Sequence, residues 1–112
     1  MSARAETWLW IAQRAAALVL ALAVAIHLAT IIYAVRHGLS AAAILARTQG
    51  NFAWLAFYLV FAAAASVHGG IGLRTIIRET TRCRGAGLDL AILVFGAALM
   101  LAGWRAALAL FQ

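Results

Sequence analysis

Residues 8–35 read WLWIAQRAAALVLALAVAIHLATIIYAV, an apolar run broken mainly by Gln13, Arg14, His27 and Thr30. About 20 apolar residues in a helix cross a ~30 Å hydrocarbon core, so this stretch is long enough to span a membrane. Two further runs have the same character, residues 52–77 (FAWLAFYLVFAAAASVHGGIGLRTII) and residues 88–110. None alternates as a half-buried strand does, and all are rich in Ala and Leu. A chain in lipid must also satisfy its own backbone polar groups, which a helix does. The reading is therefore all-α: one integral membrane domain, residues 1–112, of three transmembrane helices near 8–35, 52–77 and 88–110. With no Pro in the chain, no kink is expected.

Composition supports the same reading. The chain is 67% hydrophobic, against about 45–50% in an ordinary soluble domain, and has no polar segment of domain size. Soluble chemistry must then reside on another subunit. The first run is too long for the apolar part of a signal peptide, about 7–15 residues, and Arg36 and His37 follow it, so it is expected to be retained. Between the first two runs the semi-apolar stretch Leu39 to Ala46 predicts a short interfacial helix. The segment from Arg74 to Asp89 reads as a basic connection with Gly85 and Gly87 as breakers.

The net charge of +6 comes from nine Arg and no Lys, set against Glu6, Glu79 and Asp89. The arginines gather at the ends of the apolar runs, which suits lipid headgroups and membrane orientation rather than nucleic acid. Arg4, Arg14, Arg74, Arg78, Arg82 and Arg84 fall on the side of the N terminus; Arg36, Arg47 and Arg105 fall on the other. The positive-inside bias places the N terminus in the cytoplasm, or the mitochondrial matrix, and the C terminus outside. Trp8, Trp10, Trp54 and Trp104 lie near helix ends, as interfacial indoles do. Cys83, the only cysteine, permits neither an internal disulfide nor a CxxC site and reads as an incidental loop residue.

Ionisable groups inside hydrocarbon are costly, so His27 and His68 are the candidate functional residues. His68 stands in Ser66-Val67-His68-Gly69-Gly70-Ile71-Gly72-Leu73-Arg74. An imidazole nitrogen is a good axial ligand for haem iron, and small neighbours could give a porphyrin clearance. The alternative is that these glycines let helices pack closely and His68 bonds a neighbouring helix. His27 lies 13 residues beyond Arg14, about 20 Å, whereas His68 lies 6 residues before Arg74, about 9 Å. The two imidazoles are therefore expected at different depths, about 10 Å apart, too far to flank one haem. Arg14 at the inner end of the first helix fits a lipid phosphate, a haem propionate or a quinone carbonyl. Gly96 and Gly103, seven apart, suggest close packing. His37 reads as a solvated loop residue. No carboxylate pair, nucleophilic triad, phosphate loop or Cys/His metal spacing appears, which weighs against a side-chain catalyst and a proton relay.

Gln13-Arg14, His27 thirteen residues later, and His68 followed by Gly72-Leu73-Arg74 resemble the membrane anchors of succinate dehydrogenase and fumarate reductase. The similarity covers nearly the whole chain through short motifs, with Glu79 standing for the acidic residue that follows the second-helix arginine. It implies a cytochrome b subunit in which His68 ligates haem b and Arg14 lies near a quinone, with Trp10 where some members have a quinone-contacting serine. His27 is similar to a ligand of the two-haem members. One or two haems would then be shared with a second membrane chain, identical or paralogous. A flavoprotein and an iron–sulfur subunit would be partners, and the bacterial cytoplasmic membrane the expected location. One departure weakens the quinone expectation: Ala15, Ala16 and Ala17 follow Arg14 where the family carries a hydroxyl. A haem-free structural anchor and a small transporter subunit are the competing readings.

Overall fold

The computed structural model describes all residues, 1–112, and contains only helices: α1 Ala3–His37, α2 Ala41–Thr48, α3 Phe52–Thr80 and α4 Ala86–Phe111. α1, α3 and α4 are each long and apolar enough to cross a membrane, so the chain is a multi-pass membrane protein. The bundle measures 49 × 23 × 22 Å, and its long axis matches α1, whose 35 residues rise about 52 Å. α3 is the middle helix: it packs along α1 on one side and along α4 on the other, while α2 rests on α4.

Local sequence sets each boundary. Ser2, Ser40 and Asn51 are extended residues whose side chains accept the first free backbone N–H groups of α1, α2 and α3. α1 stops at Gly38, with φ of 143°. A side chain there would be strained, and its Cβ would lie 2.9 Å from the Cβ of Ala43. The short interfacial helix expected over 39–46 forms two residues later. Its far end turns against the C terminus of α4: Thr48 Oγ1 donates to Leu110 O at 2.9 Å, and Gly50 N–H donates to Phe111 O at 2.8 Å. The Gln49 side chain donates to Gln112 O as well. Carbonyls that a helix end leaves unpaired are thus capped from another part of the chain.

One expectation changes. The second span continues through Thr80, so Arg74 and Arg78 are helical residues and the connection shrinks to the few residues before Gly85 and α4. Helix propensity and the partners of Arg74 outweigh the polarity of this stretch. The glycines around His68 lie against helices of this chain. A Cβ on Gly69 or Gly70 would meet Leu99 or Ile92 of α4, and one on Gly72 would lie 3.3 Å from Gln13 of α1. They bring helices of this chain together, as small residues do in membranes.

The chain has little core of its own. Only 10 of 112 residues are buried, and the buried apolar ones are alanines except for Leu88. Leu18, Leu22, Leu93 and Val94 point outward. Such surface is ordinary in lipid and untenable in water. Contact between α3 and α4 is closest at Gly103, where a Cβ would fall 2.5 Å from Ala62 Cβ, and Gly96 lies against the Ser66 carbonyl. The packing role expected for these two glycines is observed.

Candidate functional site

His27 leaves α1 toward α3, where its ring meets Tyr58 and Phe61 edge-on, with centroids 5.9 and 5.4 Å away. Phe61, His68 and Gly72 follow one another at seven- and four-residue steps, so His68 lies on the same α1-facing side of α3. Both imidazoles thus belong to the α1–α3 seam. The level of His27 at Phe61 and the position of His68 differ by seven residues, about 10 Å along the helix. Their separation in depth agrees with the spacing argument.

The two rings share a chemical peculiarity. Nδ1 of each is enclosed and has no hydrogen-bond partner. A buried, unsatisfied polar nitrogen is costly, and bonding to a neighbouring helix of this chain does not relieve it. His27 is fixed by aromatic packing instead, and Nε2 of neither ring makes a hydrogen bond within the chain.

Their surroundings differ. His27 joins two apolar cavities. The larger, about 790 Å³, is an open cleft lined by α1, α2, α3 and the end of α4; the smaller, about 440 Å³, runs between α3 and α4 beside Ala62, Ser66 and Gly103. Both volumes suit a small-molecule site. His68 lines neither cavity and is half-buried at the seam. Small neighbours mark His68 in the sequence; both of these cavities open at His27. The chain gathers no cluster of three or more His, Cys, Asp or Glu side chains.

Arg14 and Trp10 are exposed near the N-terminal end of α1, with the guanidinium 5.0 Å from the indole centroid. Gln13, one residue earlier, turns inward to Gly72, and its Oε1 is enclosed without a partner. Gln13 is thereby brought to the seam one turn from His68, Arg14 beside it in sequence faces outward, and His27 stands apart. His37 is exposed, stacks on Tyr33 at 4.2 Å and donates from Nδ1 to the Tyr33 carbonyl. Cys83 is exposed and free.

One cluster escaped the sequence reading. Arg74 is buried and donates to Asp89 at 2.7 Å and to Glu6 at 3.1 Å; Arg78 adds a third ion pair to Glu6 at 2.9 Å. A single guanidinium therefore ties α1, α3 and α4 at one end. Glu79, the expected acidic companion of Arg74, is exposed and makes no ion pair. Five positions along a helix point it away from Arg74, whereas Glu6 and Asp89 approach from other helices. The available signal was the position of Arg74 inside the second apolar run.

The family model for the succinate dehydrogenase/fumarate reductase transmembrane subunit matches residues 1–103. No curated protein and no solved structure matches the chain.

Proposed function

Because the chain belongs to the succinate dehydrogenase/fumarate reductase transmembrane-subunit family, we propose that it is a haem-b-carrying membrane anchor of such a complex. In this reading it tethers a flavoprotein and an iron–sulfur subunit and passes electrons to or from a membrane quinone. The observation that supports the haem assignment is the pair of intramembrane imidazoles at two depths, neither of which makes a side-chain hydrogen bond within this chain. Histidine in hydrocarbon is expensive without a role, and neutral imidazole is a good iron ligand.

His68 and His27 would each supply one axial ligand. Because the two imidazoles lie about 10 Å apart along the bundle, too far to flank one haem, the opposite ligands would come from a second membrane chain. Haem, when bound, supplies one-electron transfer; this chain contributes binding and orientation. Tyr58 and Phe61 hold the His27 ring edge-on, and the Gly72–Gln13 approach keeps α1 against α3 beside His68. The depths of the two histidines favour two haems, an inner one on His68 and an outer one on His27.

Arg14 is assigned to the quinone at the inner face. It rests over Trp10, which leaves its donors open toward a carbonyl of a flat ligand. The arginine distribution supports a cytoplasmic N terminus in a bacterial cytoplasmic membrane.

The glycines beside His68 favour a second reading, a haem-free anchor, because helix packing already accounts for them. A reduced-minus-oxidised spectrum of the purified complex separates the two. The wild type should show a bis-histidine b-type signal that His68→Ala loses in part; full haem content in that variant excludes His68 as a ligand.

A further inference from the structure

We propose that Gln13 is the positioning residue of His68. Its side-chain oxygen takes the Nδ1–H of the imidazole through one water in the α1–α3 seam and so presents Nε2 for ligation. This role rests on the haem reading of His68.

Two enclosed polar atoms without partners belong to this stretch of the seam, Nδ1 of His68 and Oε1 of Gln13. A buried polar atom is costly unless paired, and these two are complementary. The amide oxygen only accepts, whereas an imidazole that binds iron through Nε2 carries its proton on Nδ1 and donates it. No other side chain competes. Ser66 donates to Ala62 O at 2.7 Å, and Thr75 donates to Ile71 O at 3.1 Å. Arg74 is held by Glu6 and Asp89, and Arg14 is exposed beside Trp10.

Reach selects a water over a direct bond. The Gln13 amide sits at the level of Gly72, its Nε2 3.3 Å from where a Cβ there would stand. His68 is four residues back along α3, about 6 Å by helical rise. A hydrogen bond is about 2.8–3.0 Å, so one water spans the step and a direct bond does not. A buried water bridging groups that are otherwise unpaired is an ordinary structural element.

His37 shows the usual alternative. Its Nδ1 donates to the carbonyl four residues earlier, Tyr33 O, at 3.1 Å. His68 makes no such bond to its own helix, so its ring is oriented from the facing one. An acceptor on Nδ1–H makes the imidazole a more basic ligand and favours ferric over ferrous haem.

The test uses the intact complex and compares wild type with two variants. Gln13→Met keeps the length of the side chain and removes the acceptor; Gln13→Glu keeps an acceptor. Two quantities are read for the haem that His68→Ala removes, its midpoint potential and its loss to apomyoglobin. Gln13→Met should raise the potential and weaken haem binding by roughly 10–100-fold, the usual loss for a partner of a ligating histidine. Gln13→Glu should hold haem as the wild type does, with a potential below that of the wild type. A side chain that only packs the seam would not give this order. Potential and haem retention that are both unchanged in Gln13→Met overturn the inference, as does a Gln13→Glu variant that loses haem and rises in potential like Gln13→Met. Gln13→Leu, also without an acceptor, replaces Gln13→Met if that variant fails to assemble, judged by covalent flavin per membrane protein, and is read the same way. Full haem content in His68→Ala removes the haem reading itself.

Discussion

At the end that the proposed orientation makes the inner one, Arg74 donates to Glu6 and Asp89, so one buried guanidinium joins three helices through ion pairs. At the outer end no acidic side chain takes part: α2 folds back, and Thr48, Gln49 and Gly50 cap the last carbonyls of α4 around an apolar cavity. One end is closed by charge and has His68 within two turns of its arginine; the other is closed by neutral hydrogen bonds and leaves space beside His27. The difference separates two tasks. The Arg74 end holds three helices together, and the opposite end keeps an apolar cavity beside His27.

The largest effect should follow from breaking the inner end. Arg74→Leu leaves Asp89 without an ion-pair partner and Glu6 with Arg78 alone, and should remove most of the assembled complex from membranes, measured as covalent flavin per membrane protein. Arg74→Lys should recover only part, because a point charge cannot fork between two carboxylates. Normal assembly in the Leu variant would show that helix packing alone closes this end.

Close packing makes the next contrast. A methyl group added at Gly103 would fall 2.5 Å from Ala62 Cβ, so α4 must move away from α3. Gly103→Ala should cost about 1–3 kcal/mol, the usual range for overpacking, seen as a lower melting temperature of the solubilised complex. The smallest effect belongs to the outer cap. Thr48→Val removes the bond to Leu110 O and should cost about 1 kcal/mol, with faster amide exchange confined to the end of α4. Exchange that also rises around Asp89 would mean that the two ends are coupled.

Much of this architecture is legible in the sequence because lipid imposes a simple rule: long apolar runs become helices. The three spans, the short helix after Leu39 and the depth difference between His27 and His68 follow from run length and helical rise. The exchange of partners between helices does not. Arg74 looks like a boundary arginine until α3 is seen to continue past it, and Glu6 and Asp89 are distant in sequence. Gly69, Gly70 and Gly72 could clear either a cofactor or a helix, since a missing Cβ says only that something comes close. The cavity at His27 depends on where α2 lands, which is set by the Gly38 turn and the hydrogen bonds to the end of α4.

The central claim is that imidazoles at two depths carry haem, and haem-to-flavin stoichiometry tests it most directly. Pyridine haemochrome and covalent flavin would be measured on the purified complex from wild type and His27→Ala. The account predicts two haems per flavin in the wild type, with about half lost in the variant while the spectrum of the His68 haem persists. One haem per flavin, unchanged by His27→Ala, would contradict it.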